Sequence, residues 1–391
     1  MASNPYKGFI RYLDKYQKKK DFSYYDAVFL QQNIQNYYLN NYETTYEKWQ
    51  KENEVQILFT NNIITKPNNV ITKQKKEIEI NIHHLKDIIK ILKEYPYQDE
   101  FEYNINLKAL HNVRSELENL DNMIGMEILK TSVMQQMIYF IQELHISVDP
   151  SKNDYKHTIL MGPPGTGKTE IAKIVGNMYA KLGILKKNVF KKVTRSDLVA
   201  GYLGQTAIKT RKVIDECLGG VLFIDEAYAL GDDSFSKECI DTLCEALSDH
   251  KDELMVIIAG YENELNETFL KINSGMNSRF IWRFAIDSYT PKELMSIFEK
   301  QIYDNGWGLK EDFTLKEIWF KTNKDFFLHY GRDMEILFSY VKISHAQRIF
   351  GKNDSEKKKI NKDDLESGFH LFLQHKKKIK PELKSLYSMY V

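Results

Sequence analysis

The sequence predicts an α/β fold: a five-stranded parallel sheet wound on both faces by helices, then a small all-helical domain. A separate, mainly helical N-terminal region precedes them. Three observations predict this arrangement. Between about 116 and 288, short apolar runs alternate with helical patterns, the mark of strands joined by helical crossovers. After Ser288 the apolar runs stop and only helical periodicity continues. Residues 1–115 mix aromatics, Asn and Lys without one sustained period.

In the N-terminal region, Leu85, Ile88, Ile89 and Leu92 follow the i, i+3, i+4, i+7 spacing of an amphipathic helix that should end before Tyr95-Pro96. Lys18, Lys19 and Lys20, with the Asn61-Asn62 and Asn68-Asn69 pairs, read as surface or loop. Strands are expected at His157–Met161, Val189–Val193, Val221–Ile224, Leu254–Ala259 and Ile281–Ile286, with helices near 168–182, 206–218 and 236–250. A ligand of such a sheet belongs beyond the carboxyl ends of its strands. At Thr290-Pro291-Lys292-Glu293, a Thr cap, a Pro at the first helical position and a Glu completing a capping box agree on a helix start. Helices near 291–304, 314–328, 331–350 and 362–374 then fill a domain over 289–375. The basic run Lys376-Lys377-Lys378 opens a solvated tail over 376–391.

At about 150 residues per domain, a chain of 391 residues holds two or three domains. Lys+Arg 55 against Asp+Glu 54 leaves a net charge of +1, which excludes a global field steering the molecule to nucleic acid or membrane. No stretch approaches the ~18 apolar residues of a membrane span. Met1–Lys20 is too polar for the core of a signal peptide. Cys217, Cys239 and Cys244 are odd in number and lack C-x-x-C spacing, which excludes a disulfide framework or zinc knuckle and fits a reducing compartment. The expectation is a soluble, cytoplasmic protein.

Gly162-Pro163-Pro164-Gly165-Thr166-Gly167-Lys168-Thr169, with Glu170 next, follows an apolar run and opens an amphipathic helical pattern. Glycines let successive N–H groups converge on phosphate oxygens, and the helix N-terminus adds positive charge. Lys168 is expected at the β- and γ-phosphates of ATP and Thr169 on Mg²⁺. Val221-Leu222-Phe223-Ile224-Asp225-Glu226 sets two carboxylates at the end of a fully apolar strand. Asp225 is the second candidate for holding Mg²⁺, and Glu226 for polarising the attacking water. Together these residues predict an ATPase.

The motifs also carry a family resemblance. Val193-Thr194-Arg195-Ser196-Asp197-Leu198 runs through Gly201-Tyr202-Leu203-Gly204 to Thr210, followed by Gly219–Leu230, Ala259-Gly260-Tyr261 and Gly275-Met276-Asn277-Ser278-Arg279-Phe280. As a set they resemble the AAA+ ATPases of the CbbX/CfqX type, the group of red-type Rubisco activases and stage V sporulation protein K, over roughly residues 118–372. The resemblance implies a P-loop AAA+ module with a helical lid, assembled as a hexameric homo-oligomeric ring with nucleotide at each subunit boundary. Arg279 resembles the arginine that reaches a neighbour's γ-phosphate, with Arg283 as a rival. Arg332 resembles a lid arginine that touches nucleotide, although Glu335 stands where the family usually carries a further arginine. Met123, Ile124 and Gly125 resemble the segment packed on the adenine. The first-sensor residue, near Gly260-Tyr261-Glu262-Asn263, stays open. Tyr202, Leu203 and Gly204 resemble a central pore loop whose aromatic grips an extended polypeptide.

Two further readings stand beside this chaperone-like remodeller of polypeptides. One is a nucleic-acid-associated AAA+ motor or loader using Lys209 and Arg211; the other is a nucleotide-gated scaffold. Balanced charge and an aromatic pore loop favour a polypeptide partner over nucleic acid. The histidines, His83-His84 included, show no H-x-x-x-H pair to suggest a metal site.

Overall fold

A computed structural model describes residues 73–387 except 150–151, 203, 232 and 353–355, with side chains as far as Lys376. The Lys18–Lys20 run, both Asn pairs and Leu203 lie outside the described residues. The described part opens with β1 (Gln74–Lys76), α1 (Leu85–Glu94), β2 (Phe101–Tyr103), α2 (Leu107–Asn112), α3 (Arg114–Asp121) and α4 (Glu127–Ile141). β1 and β2 pair in parallel. Leu85, Leu92, Leu110 and Leu117 bury into the core that also takes Ile171 and Leu160 of the following module. The chain therefore divides at Lys73/Gln74, and the boundary expected near 115 falls inside one packed unit. A break read from texture misses this because the binding leucines are spread over three short helices.

Next come β3 (Thr158–Met161), α5 (Lys168–Lys181), β4 (Phe190–Val193), α6 (Arg195–Leu198), α7 (Thr206–Cys217), β5 (Val221–Ile224), α8 (Ser234–Asp249) and β6 (Met255–Gly260). Short helices α9 (Glu262–Glu267), α10 (Phe269–Ile272) and α11 (Ser274–Arg279) lead to β7 (Trp282–Ala285). The five strands run parallel in the order β4-β5-β6-β3-β7. Their pleat divides the core in two. Val221, Phe223, Met255, Ile257 and Leu160 face α1, α3, α4 and α5, while Leu222, Ile224, Val256, Ile258 and Ile159 face α7 and α8. By the same parity Asp225, two residues after Phe223, falls on the α5 face. Cys217, Cys239 and Cys244 are buried and unbridged.

The lid holds α12 (Pro291–Asp304), α13 (Glu317–Thr322), α14 (Tyr330–Ile349) and α15 (Lys362–Tyr387). The capping box forms as predicted: Thr290 Oγ1 accepts from Glu293 N at 3.3 Å, and Glu293 Oε2 accepts from Thr290 N at 2.7 Å. Three expectations need correction. The lid is not all helical, because β8 (Gly308–Leu309) pairs in parallel with β9 (Lys359–Ile360); two-residue strands carry no readable period. The helix expected over 314–328 ends at Thr322 and is followed by a 3₁₀ turn at Lys324–Phe326. The expected tail from 376 continues α15 instead. Lys376 is no solvated residue: its ammonium lies 2.8 Å from Asp333 Oδ2, a carboxylate buried at the start of α14. Among the described residues, no helix is long and apolar enough to cross a membrane.

Candidate active site

The loop over 162–169 runs from the end of β3 into α5, as the motif demands. Gly162 N donates to Gly260 O at 3.2 Å, and Ile286 N to Met161 O at 2.7 Å, so the ends of β6 and β7 flank it. Inside the loop, Thr166 is buried and its hydroxyl donates to Pro163 O at 2.8 Å. That side chain braces the loop from inside, and Thr166 lines the cavities on both sides of it. Lys168 Nζ donates to Gly162 O and Pro163 O, both at 2.8 Å, and stands 5.5 Å from the centre of the Tyr261 ring. Burial pushes its pKa below the ordinary lysine value, opposed by the nearby charge of Asp225. A half-desolvated ammonium beside α5's N-terminus strongly favours an anion.

A cavity of about 280 Å³ collects the predicted groups. Lys168, Thr169 and Glu170 line it from α5, Asp225 and Glu226 from the end of β5, and Arg332 from α14. Asp225 Oδ2 lies 2.6 Å from Lys192 Nζ, and Asp225 Oδ1 accepts from Glu226 N at 3.1 Å. Glu226 sits in the left-handed region at φ 53°. This conformation costs a non-glycine residue energy and commonly accompanies functional turns. Thr169 and Asp225 bring a hydroxyl and a carboxylate, both hard oxygen donors, to the same cavity, a set that fits a divalent cation such as Mg²⁺.

The same cavity has a wall that sequence reasoning missed. Tyr228 and Tyr261 stack with centroids 5.2 Å apart and planes 18° from parallel. Burial, then the charge of Glu226, pushes the Tyr228 phenol up to about 12. Of the residues among which the first sensor was left open, Gly260 and Tyr261 line this cavity. The single signal available for Tyr261 was its adjacency to β6; Tyr228 comes from a 3₁₀ turn after the acids and had none.

A second cavity of about 510 Å³ lies on the other side of Gly165, Thr166 and Gly167. Met123 and Ile124 line it, with Ile297 and Gln301 from α12, and Arg332 and Glu335 from α14. Arg332 borders both cavities. Gly125 needs reinterpretation: a Cβ there would run into the Glu293 carboxylate and come 3.3 Å from the Tyr289 ring. Its glycine makes room for the lid's capping box rather than for a base.

The lid rests on the loop itself. Gly331 N donates to Gly165 O at 3.1 Å, and Tyr289 OH to Thr166 O at 3.3 Å. A Cβ on Gly165, whose φ is +73°, would collide with His329 O. Gly165→Ala should therefore cost about 1–3 kcal/mol in backbone strain alone, plus the displaced lid. A denaturant midpoint unchanged from wild type would refute this close approach.

Of the other predicted residues, Tyr202 and Gly204 lie together in an exposed turn between α6 and α7. Arg279 is held within its own chain, Nε donating to Ser248 Oγ at 2.8 Å and Nη1 to Gly275 O at 2.8 Å. Arg283 Nη2 donates to Asn277 Oδ1 at 2.9 Å. Neither arginine lines the two cavities.

A Gly-rich loop between strand and helix, two acids ending a strand one place further along the sheet and a mainly helical lid resting on the loop define a P-loop nucleoside-triphosphate hydrolase. Comparison with known proteins narrows this. Residues 158–283 match the family model described as ATPase family associated with various cellular activities (AAA). A putative cfxQ-like protein of Acanthamoeba polyphaga mimivirus is 39% identical over 275 residues, covering 69% of this chain and 67% of that one. Stage V sporulation protein K of Bacillus subtilis is 32% identical over 250 residues, covering 62% of this chain and 76% of the relative. The chain belongs to the AAA ATPases of the CbbX/CfqX type, nucleotide-binding enzymes that hydrolyse ATP. The ESX-1 secretion system protein EccA1 of Mycobacterium tuberculosis is 48% identical over 148 residues, but these make up 36% of this chain and 26% of EccA1.

Proposed function

We propose that this ATPase is a ring-forming protein remodeller that grips a polypeptide in a central pore, and that the ring is a hexamer. The observation that carries the reading is the 74% exposure of Tyr202 on an anchored turn. Ala200 N donates to Thr206 Oγ1 at 3.2 Å, and Lys209 Nζ donates to Ser196 O at 2.6 Å and Val199 O at 2.9 Å. Both ends of the turn are tied down, and the ring offers large apolar area at low entropy cost to any passing backbone. The nucleic-acid alternative draws less support. Lys209 is engaged by the carbonyls just named, and Arg211 pairs with Glu245 at 2.6 Å.

In this reading ATP spans the two cavities, base against Met123 and Ile124 and phosphates against the Gly162–Thr169 loop. Lys168 exchanges two loop carbonyls for β- and γ-phosphate oxygens. Thr169 and Asp225 would hold Mg²⁺, which would supply positive charge against the developing negative charge of the phosphates. Glu226 accepts the proton of the attacking water. Tyr261 bounds the γ-phosphate end, and Arg332 links phosphates to the lid. Arg279, outside the cavities of its own chain, serves the neighbouring subunit, with Tyr155 6.0 Å from its guanidinium as support.

Tyr202→Ala tests the reading. Basal ATPase should stay within about twofold, because the turn lies outside the cavities, while stimulation by an unfolded polypeptide disappears. Full retention of that stimulation, or comparable stimulation by single-stranded DNA at physiological salt, would turn the case toward a scaffold or a nucleic-acid motor.

A further inference from the structure

Asp225 has a cationic partner that the motif does not require. Lys192 lies on the edge strand β4, and its ammonium stands 2.6 Å from Asp225 Oδ2. The register explains how. Val193 pairs with Ile224, and Asp225 N donates to Val193 O at 2.9 Å, so the residue before Val193 runs beside the end of β5. Val193 packs toward the α7–α8 core, which turns Lys192 with Phe190 onto the α5 face, the face that carries Asp225. Its neighbour Lys191 points the other way and pairs with Glu216. The pairing of Lys192 is thus a consequence of sheet pleat rather than of chance flexibility.

Lys192 does not line the 280 Å³ cavity; it reaches Asp225 from outside it. Its side chain is 46% exposed against 20% for Asp225, so the ammonium can swing into solvent while the carboxylate stays. Asp225 Oδ1 is meanwhile held by Glu226 N. A divalent cation arriving with nucleotide must use the oxygen that Lys192 occupies, or tolerate a positive charge a few ångströms away. Like charges at that range repel appreciably in a partly screened cleft.

We infer that Lys192 is a resident counter-cation of the hydrolytic site, competing with the divalent metal for Asp225 and setting how much metal the nucleotide-bound enzyme needs. The inference rests on the reading of Asp225 as a metal-holding group. It makes Lys192 a positioning residue: it lies outside the cavity lining and acts through Asp225.

The test uses the full chain and a fluorescent ADP analogue, titrated with MgCl₂ at constant ionic strength. In the wild type, Mg²⁺ should tighten ADP binding. Lys192→Met should lower the Mg²⁺ concentration at half effect about tenfold, and Lys192→Arg, which keeps the charge, should match wild type. The gap between Met variant and wild type should narrow as KCl is raised, because both ions face solvent. A Met variant needing the same or more Mg²⁺, or an Arg variant behaving like Met, overturns the competition. Absence of any Mg²⁺ effect in the wild type overturns instead the underlying assignment of Asp225. Thermal unfolding without nucleotide separates either result from misfolding, since Lys192 is an exposed residue of an edge strand.

Discussion

Lys168→Ala should bind ATP and ADP at least about a hundredfold more weakly than wild type, a loss of ~3 kcal/mol. The ammonium gathers two loop carbonyls at 2.8 Å and lies half-buried beside the N-terminus of α5. Hydrogen bonds to charged groups are each worth about 1.5–3 kcal/mol, and the alanine loses both reach and charge. The fold should persist, because the loop is separately braced by Thr166 on Pro163 and by Tyr289 on Thr166. Calorimetric titration decides it. A variant that keeps submicromolar affinity for ATP would remove the loop from the phosphate site.

Glu226→Gln should leave ATP affinity close to wild type while turnover falls about 10²- to 10⁴-fold, the usual worth of a general base. Glutamine keeps the size and the left-handed backbone demands of Glu226, whose φ is 53°, but offers no carboxylate to take a proton. ATP should then hold the assembled ring, visible as a stable high-mass species by light scattering. The same variant examines the boundary between subunits. Mixed with Arg279→Ala, which keeps its own acids but lacks the guanidinium, it should recover part of the lost turnover at seams pairing an intact Glu226 with an intact Arg279. Hydrolysis by Glu226→Gln alone at near wild-type rate would move water activation to another residue.

Much of the fold was legible because its signals are local. A four-residue apolar run such as Val221–Ile224, bounded by Gly219-Gly220 and two acids, reads as a strand buried on both faces, and all four residues are buried. Thr290, Pro291 and Glu293 each specify a helix start by their own chemistry, and α12 begins there. The elements that escaped are those whose identity depends on a partner distant in sequence. Gly308–Leu309 is a strand only because Lys359–Ile360 lies beside it. Leu85–Glu94 belongs to the ATPase unit only because Leu85 and Leu92 bury against the sheet's helical layer. Lys376 leaves the solvent because Asp333 is waiting for it across 43 residues.

The site divides along the same line. The phosphate loop, Asp225 and Glu226 are contiguous motifs whose chemistry requires those residue types in that spacing, so the sequence by itself determined the nucleotide chemistry of this protein. Tyr228 against Tyr261, Lys192 on Asp225 and Tyr289 over Thr166 join residues 33, 33 and 123 positions apart. Only the tertiary structure decided these contacts. Strand order and pleat parity choose which side chains reach the ends of β5 and β6, and neither is written in any local run of residues.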